Sequence, residues 1–165
     1  MVKGKALAIF TLILGISGLG LGIYSLVFSM GKNSGIQKTW FVYDSGVHYT
    51  DPTYTDIPID AITINFTLKL DESVYCLFSS HATLVDTGLA TIIFKFVLDG
   101  YVISSPVSPE TTFSSNHQES SGSVTLQMAT DTILPGFHTA TISIQGNFLN
   151  NAIDESTLLI QTYIP

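Results

Sequence analysis

Two regimes of hydrophobic patterning divide the chain. Residues 6–31 run for twenty-six positions without a charged side chain. From residue 39 onward, apolar and polar positions alternate in short segments. In "AITINFTLKL", Ile62, Ile64, Phe66, Leu68 and Leu70 alternate with Thr63, Asn65, Thr67 and Lys69, the period of a strand with one buried face. "IIFKFVLDGYVISSPV" predicts a hairpin, because Asp99-Gly100 accepts the positive φ angles of a two-residue turn. "SGSVTLQMAT" places Val124, Leu126 and Met128 on one side. "LPGFHTATISI" opens on a Pro-Gly turn and aligns His138, Ala140, Ile142 and Ile144, and "STLLIQTYIP" supplies a last strand ending at Tyr163. "SVYCLFSSHATL" and weaker strands near Tyr43–Tyr49 and Phe113 bring the expected total to eight to ten. A first strand around Trp40, Phe41 and Tyr43 is expected to tuck into the core. The pattern predicts an all-β fold over residues 39–165, a two-sheet sandwich or jelly roll.

The uncharged run has the opposite character. About 20 apolar residues cross a bilayer as a helix, and thirteen of those between Ala6 and Met30 are Leu, Ile, Val or Phe. The reading is a cytoplasmic tail (1–5), a single transmembrane α-helix (6–31), a polar hinge (32–38) and an extracellular domain. The run exceeds the usual apolar length of a signal peptide, which favours a retained anchor over cleavage before Met30 or pilin-type processing. Steps of four and three from Gly4 meet Ala8, Thr11, Gly15, Gly18, Gly22, Ser25 and Ser29, all small. Such a seam permits the close backbone approach that drives helices together in lipid.

Charge sharpens this division. Residues 1–38 hold four lysines and no acid, hence +4; the remainder holds thirteen acids against Lys69 and Lys95, hence −11, for a net −7. Arginine is absent. Nucleic-acid binding needs basic patches that displace counterions, so that class is excluded. The lysines flank the apolar run equally, two on each side. Orientation therefore rests on the layout, tail inside and head outside. Cys76 is the sole cysteine, which removes any internal disulfide framework, and its apolar surroundings predict a buried thiol.

Candidate chemistry is sparse. His48, His81, His117 and His138 show none of the spacings of a zinc or protease motif; His138 reads as a packed, hydrogen-bonded side chain. Asp44, Asp51, Asp56, Asp60, Asp154 and Glu155 offer oxygen ligands of the kind calcium takes, but in no defined loop motif, and a solvated acidic face is the expectation. Asn65 in "NFT" matches a glycosylation acceptor. No cofactor, metal or catalysis is expected.

The succession "IPIDAITINFTLKLDESVYCLFSSHATL", "GLATIIFKFVLDG", "SGSVTLQM", "LPGFHTATISI" and "LLIQTYIP" resembles the trimeric jelly-roll superfamily of tumour necrosis factor and the complement globular heads, including its microbial and phage relatives. The likeness covers roughly residues 40–165. The animal family's terminal aromatic motif is missing, so its receptor and calcium functions do not transfer. The resemblance implies a homotrimer. A single span before such a head also resembles archaeal surface proteins. The resulting expectation is a membrane-anchored recognition, adhesion or structural protein whose partners are itself, membrane lipid and an unidentified extracellular ligand, with residues 106–122 as the contact loop. An archaeal pilin-like filament subunit is the alternative.

Overall fold

The computed structural model describes residues 34–85, 88–103, 110–116 and 119–165. The tail, the span 6–31 with its seam (Ala8, Thr11, Gly15, Gly18, Gly22, Ser25, Ser29), residues 32–33 of the hinge, and His117 lie outside them. Among the described residues no helix is long and apolar enough to cross a membrane.

Eleven strands follow one another: β1 (Gly35–Asp44), β2 (His48–Tyr49), β3 (Ile57–Pro58), β4 (Ile64–Leu68), β5 (Ser73–Val85), β6 (Ala90–Leu98), β7 (Tyr101–Val102), β8 (Glu110–Ser115), β9 (Glu119–Thr130), β10 (Gly136–Gly146) and β11 (Ala152–Ile164), with one 3-10 turn at Asp60–Ile62. Every pairing is antiparallel. The first sheet, sheet A, runs β1-β11-β5-β9, with β2 extending the β1 lane on β11. The second, sheet B, runs β3-β10-β6-β7, with β4 continuing the β3 lane and β8 the β7 lane. Each sheet thus has four lanes. Numbered along the chain, the lanes read 1-8-3-6 and 2-7-4-5, the order of an eight-stranded jelly roll.

The alternation read from the sequence builds the layer between the sheets. Along β5, Val74, Cys76, Phe78, Ala82 and Leu84 point inward and are buried. Ile92, Phe94 and Phe96 on β6 and Ile142 and Ile144 on β10 meet them from sheet B. Phe78 and Phe94 pack across the layer with ring centroids 5.8 Å apart, and Trp40 meets Phe66 at 5.9 Å. Each such buried side chain stabilises the fold by roughly 1.5–3 kcal/mol relative to exposure.

The expected hairpin forms: Leu98 pairs with Tyr101 around Asp99 (φ 52°) and Gly100 (φ 83°). Its second arm is only two residues long. Four readings are corrected. Gly35–Asp44 is a single strand, so four residues assigned to the hinge belong to the sheet. Only alternate residues of that strand face the core, Trp40 and Val42, while Phe41 and Tyr43 point outward and stay exposed. Residues 106–122 are not one loop, since they contain β8 and the start of β9. Leu70, read as a core position, lies exposed in the turn after β4.

Candidate functional site

The register of sheet A places three apolar side chains in one transverse row on its outer face. Phe41 on β1 stands opposite Leu159 on β11, Leu159 opposite Leu77 on β5, and Leu77 opposite Gln127 on β9. The neighbouring rows read Thr39–Gln161–Tyr75–Ala129 and Tyr43–Thr157–Ser79–Thr125. Phe41 is 63% exposed and Tyr43 54%; Leu77, Leu159 and Tyr75 are half-buried. Tyr49, on β2 in the same lane, and Val47 beside it are also exposed. The result is a rigid apolar and aromatic strip facing solvent on a head with few cations. Strict alternation hides this strip, because Leu77 and Leu159 each stand beside an inward-facing partner, Phe78 and Leu158. The readable signal was two-sided: "VYCLF" and "LLI" are apolar at both parities, which marks a strand with both faces apolar.

The polar residues named from sequence fall into separate pairs. His48 Nε2 lies 2.5 Å from Asp44 Oδ2. That hydrogen bond, then the one from the Gly46 N–H, holds the Asp44 carboxyl below its ordinary range. Asp51 accepts from the hydroxyl and N–H of Thr53, which lower its pKa likewise. Asp56 accepts from Lys95 Nζ at 3.0 Å, and the same ammonium donates to Gln145 Oε1 at 2.9 Å. Asp60 sits in the 3-10 turn. Among the described residues no three His, Cys, Asp or Glu side chains converge as a metal site.

His81 Nδ1 lies 3.0 Å from Asp154 Oδ1 on the outer face of sheet A. Behind this pair β11 bulges: its register slips between Asp154 and Thr157, and Glu155 takes φ 47°. The inward Ser80 hydroxyl meets Ser156 Oγ at 3.0 Å and reaches the Asp154 carbonyl at 2.9 Å. His138 is packed as expected. It stands 5.5 Å from the Phe66 ring, with Nδ1 2.8 Å from Asp99 Oδ2 and Nε2 2.8 Å from the Leu134 carbonyl. Both neighbours are acceptors, so the ring makes both bonds only when each nitrogen carries a proton.

Asn65 projects from the outer face of β4, where its Oδ1 accepts a 2.9 Å hydrogen bond from the Thr139 hydroxyl. Cys76 is buried among core side chains, and burial pushes its thiol pKa up to about 12, which leaves it unreactive near neutrality.

No protein-family model matches the chain, and no curated protein matches its sequence. Solved structures do resemble it in fold. One is from the infectious bursal disease virus Gx strain, 7% identical with a TM-score of 0.50; the match covers 79% of this chain and 34% of that one. Another is from the Bacillus endospore appendages, a family of disulfide-linked pili: 16% identity, TM-score 0.35, 81% of this chain and 94% of that one. A third is the CBM36-1 domain of a xylanase from the hindgut metagenome of Trinervitermes trinervoides, with 8% identity, TM-score 0.34 and coverage of 74% and 96%. The chain spans about a third of the virus chain it matches. At 7% identity the likeness to the virus chain is one of fold alone.

Proposed function

We propose that the protein is a membrane-anchored surface protein whose head stands outside the cell, assembles as a homotrimer, and serves recognition, adhesion or surface structure without catalysis. The carrying observation is the outward-facing row Phe41, Leu159, Leu77 with its tyrosine neighbours, of which Phe41 and Tyr43 are exposed. Contiguous apolar surface on a folded domain marks a place where another molecule docks. The uncharged stretch 6–31, long enough to span a bilayer, supports the anchor. The three-copy state draws on the resemblance to tumour necrosis factor and complement heads, together with the small-residue seam. Three heads on one base would raise weak individual contacts to useful avidity.

The test uses the full-length chain. After carbonate washing, the uncut protein is expected to stay with the membrane, and its mass in detergent, corrected for the micelle, to equal three chains. A cysteine introduced by Tyr43→Cys is expected to react with a membrane-impermeant thiol reagent on intact cells, against a silent background because Cys76 is buried. Release into the wash overturns the anchor, labelling only after lysis overturns the orientation, and a mass of one chain overturns the trimer.

A further inference from the structure

Among the described residues, sheet A ends on two long strands, β1 and β9. β1 and β9 each hydrogen-bond to one neighbour within the sheet, β11 and β5 respectively. Among the described residues, none of the backbone hydrogen bonds outside the ladders involves Lys38–Asp44 of β1 or β9. Natural proteins usually blunt such an edge with lysine, proline or a bulge. β9, "ESSGSVTLQMAT", has no lysine and no proline, and it pairs with β5 over twelve residues without a register shift. β1 has a bulge and a lysine only at its start, between Ile36 and Lys38, and is regular from there to Asp44.

Direction is the second observation. Sheet A has four antiparallel lanes, an even number, so its outermost strands run in opposite senses. A second copy added in the same orientation therefore brings its β1 antiparallel to the β9 of the first. Copies so related keep all their amino-terminal ends at one level, as anchoring in a single membrane requires. The third observation concerns the core. Inward-facing Trp40 and Val42 on β1 and Met128 on β9 pack against the core yet remain only partly buried. Extending the sheet past either edge would finish covering them. The acidic charge of the head does not oppose this contact strongly, since β9 carries one acid, Glu119, and β1 one acid and one lysine.

We infer that copies of this chain join head to tail by pairing β9 of one with β1 of the next, continuing sheet A across the boundary. This rests on the self-association proposed above and names its surface. A heterologous contact of this kind closes into a ring or runs on as a filament, according to the rotation between copies. With no slip along the strands, Thr39 comes level with Ala129, and Tyr43 with Thr125.

Two full-length single-cysteine additions test it, Thr39→Cys on β1 and Ala129→Cys on β9. Both positions are exposed and on the same face, and native Cys76 stays silent. Under a mild oxidant, the mixed variants are expected to form a disulfide-linked pair that neither variant forms alone. The chain carrying both substitutions is expected to form a series ending at three, for a ring, or an open ladder, for a filament; the ladder would keep the edge pairing and displace the trimer. The double variant Thr125→Lys, Gln127→Lys, with unchanged thermal unfolding of the head, is expected to reduce the mass in detergent to one chain. Cross-links within either single variant would mean like edges meet and would overturn the inference. So would an oligomeric mass with no cross-link in the mixture, which would leave self-association standing and remove only this surface.

Discussion

Thr50 and Gly146 meet where the chain leaves β2 and β10 ends. The Thr50 hydroxyl donates to the Phe148 carbonyl at 2.6 Å, and its N–H to the Asn151 carbonyl at 2.9 Å. A Cβ on Gly146 would stand 2.4 Å from that hydroxyl oxygen, so Gly146→Ala is expected to lower stability by about 1–3 kcal/mol, read by denaturant unfolding. Asn147 and Asn151 fasten the same corner, accepting from the N–H groups of Thr91 and Val85. At the opposite end Asp99 carries a pH signature. Burial pushes its carboxyl pKa up, but hydrogen bonds from His138 and the Thr139 N–H outweigh that, and the net shift is downward. A lowered folded pKa contributes stability above the ordinary carboxylate range, and that contribution is lost as pH falls through the folded value. Melting temperature should therefore fall between about pH 5 and pH 2, and Asp99→Asn should flatten that slope. Asparagine still tolerates the turn's positive φ, so a slope unchanged by the substitution would assign the acid loss to other carboxylates.

At the scale of the element, the bulge in β11 governs which side chains face out. The slip between Asp154 and Thr157 leaves Glu155 and Ser156 without pairing partners on β5, and Glu155 occupies left-handed backbone. A β-branched residue fits that conformation poorly. Glu155→Ile is thus expected to be about 1–2 kcal/mol less stable than Glu155→Gly, compared by chemical denaturation. Strands with one apolar parity were legible in the sequence: β4, β9 and β10 lie where alternation put them, and the Asp99-Gly100 turn was read from two residues. β8 was read only as a weak strand near Phe113, because "ETTFSS" offers that single large apolar side chain on a strand otherwise lined by hydroxyls. The bulge was hidden too, since "IDESTL" contains no glycine to announce a positive φ. The outward row at Phe41 escaped for a different reason. Parity says which residues share a face, but register decides which faces line up, and register comes from the partner strands.

For the whole molecule, the rhythm of short strands identified a sandwich, but only the pairing showed eight lanes in jelly-roll order. Sequence neighbours are rarely sheet neighbours here, and periodicity carries no information about that. The arrangement makes β11 indispensable, for it lies between β1 and β5 and contributes Ile153, Leu158 and Ile160 to the core. Deleting residues 152–164 is expected to abolish the folded head, seen as loss of cooperative unfolding and of protease resistance, rather than to trim one margin. The same placement sets a timetable. Residues 35–44 pair with residues 156–164, so β1 must wait for β11, made more than a hundred residues later. Sheet A cannot close before residue 164 has been synthesised, and any export machinery would handle this head as an open chain until then. Such long-range pairing also makes folding slow, giving chaperones their longest opportunity just before β11 arrives.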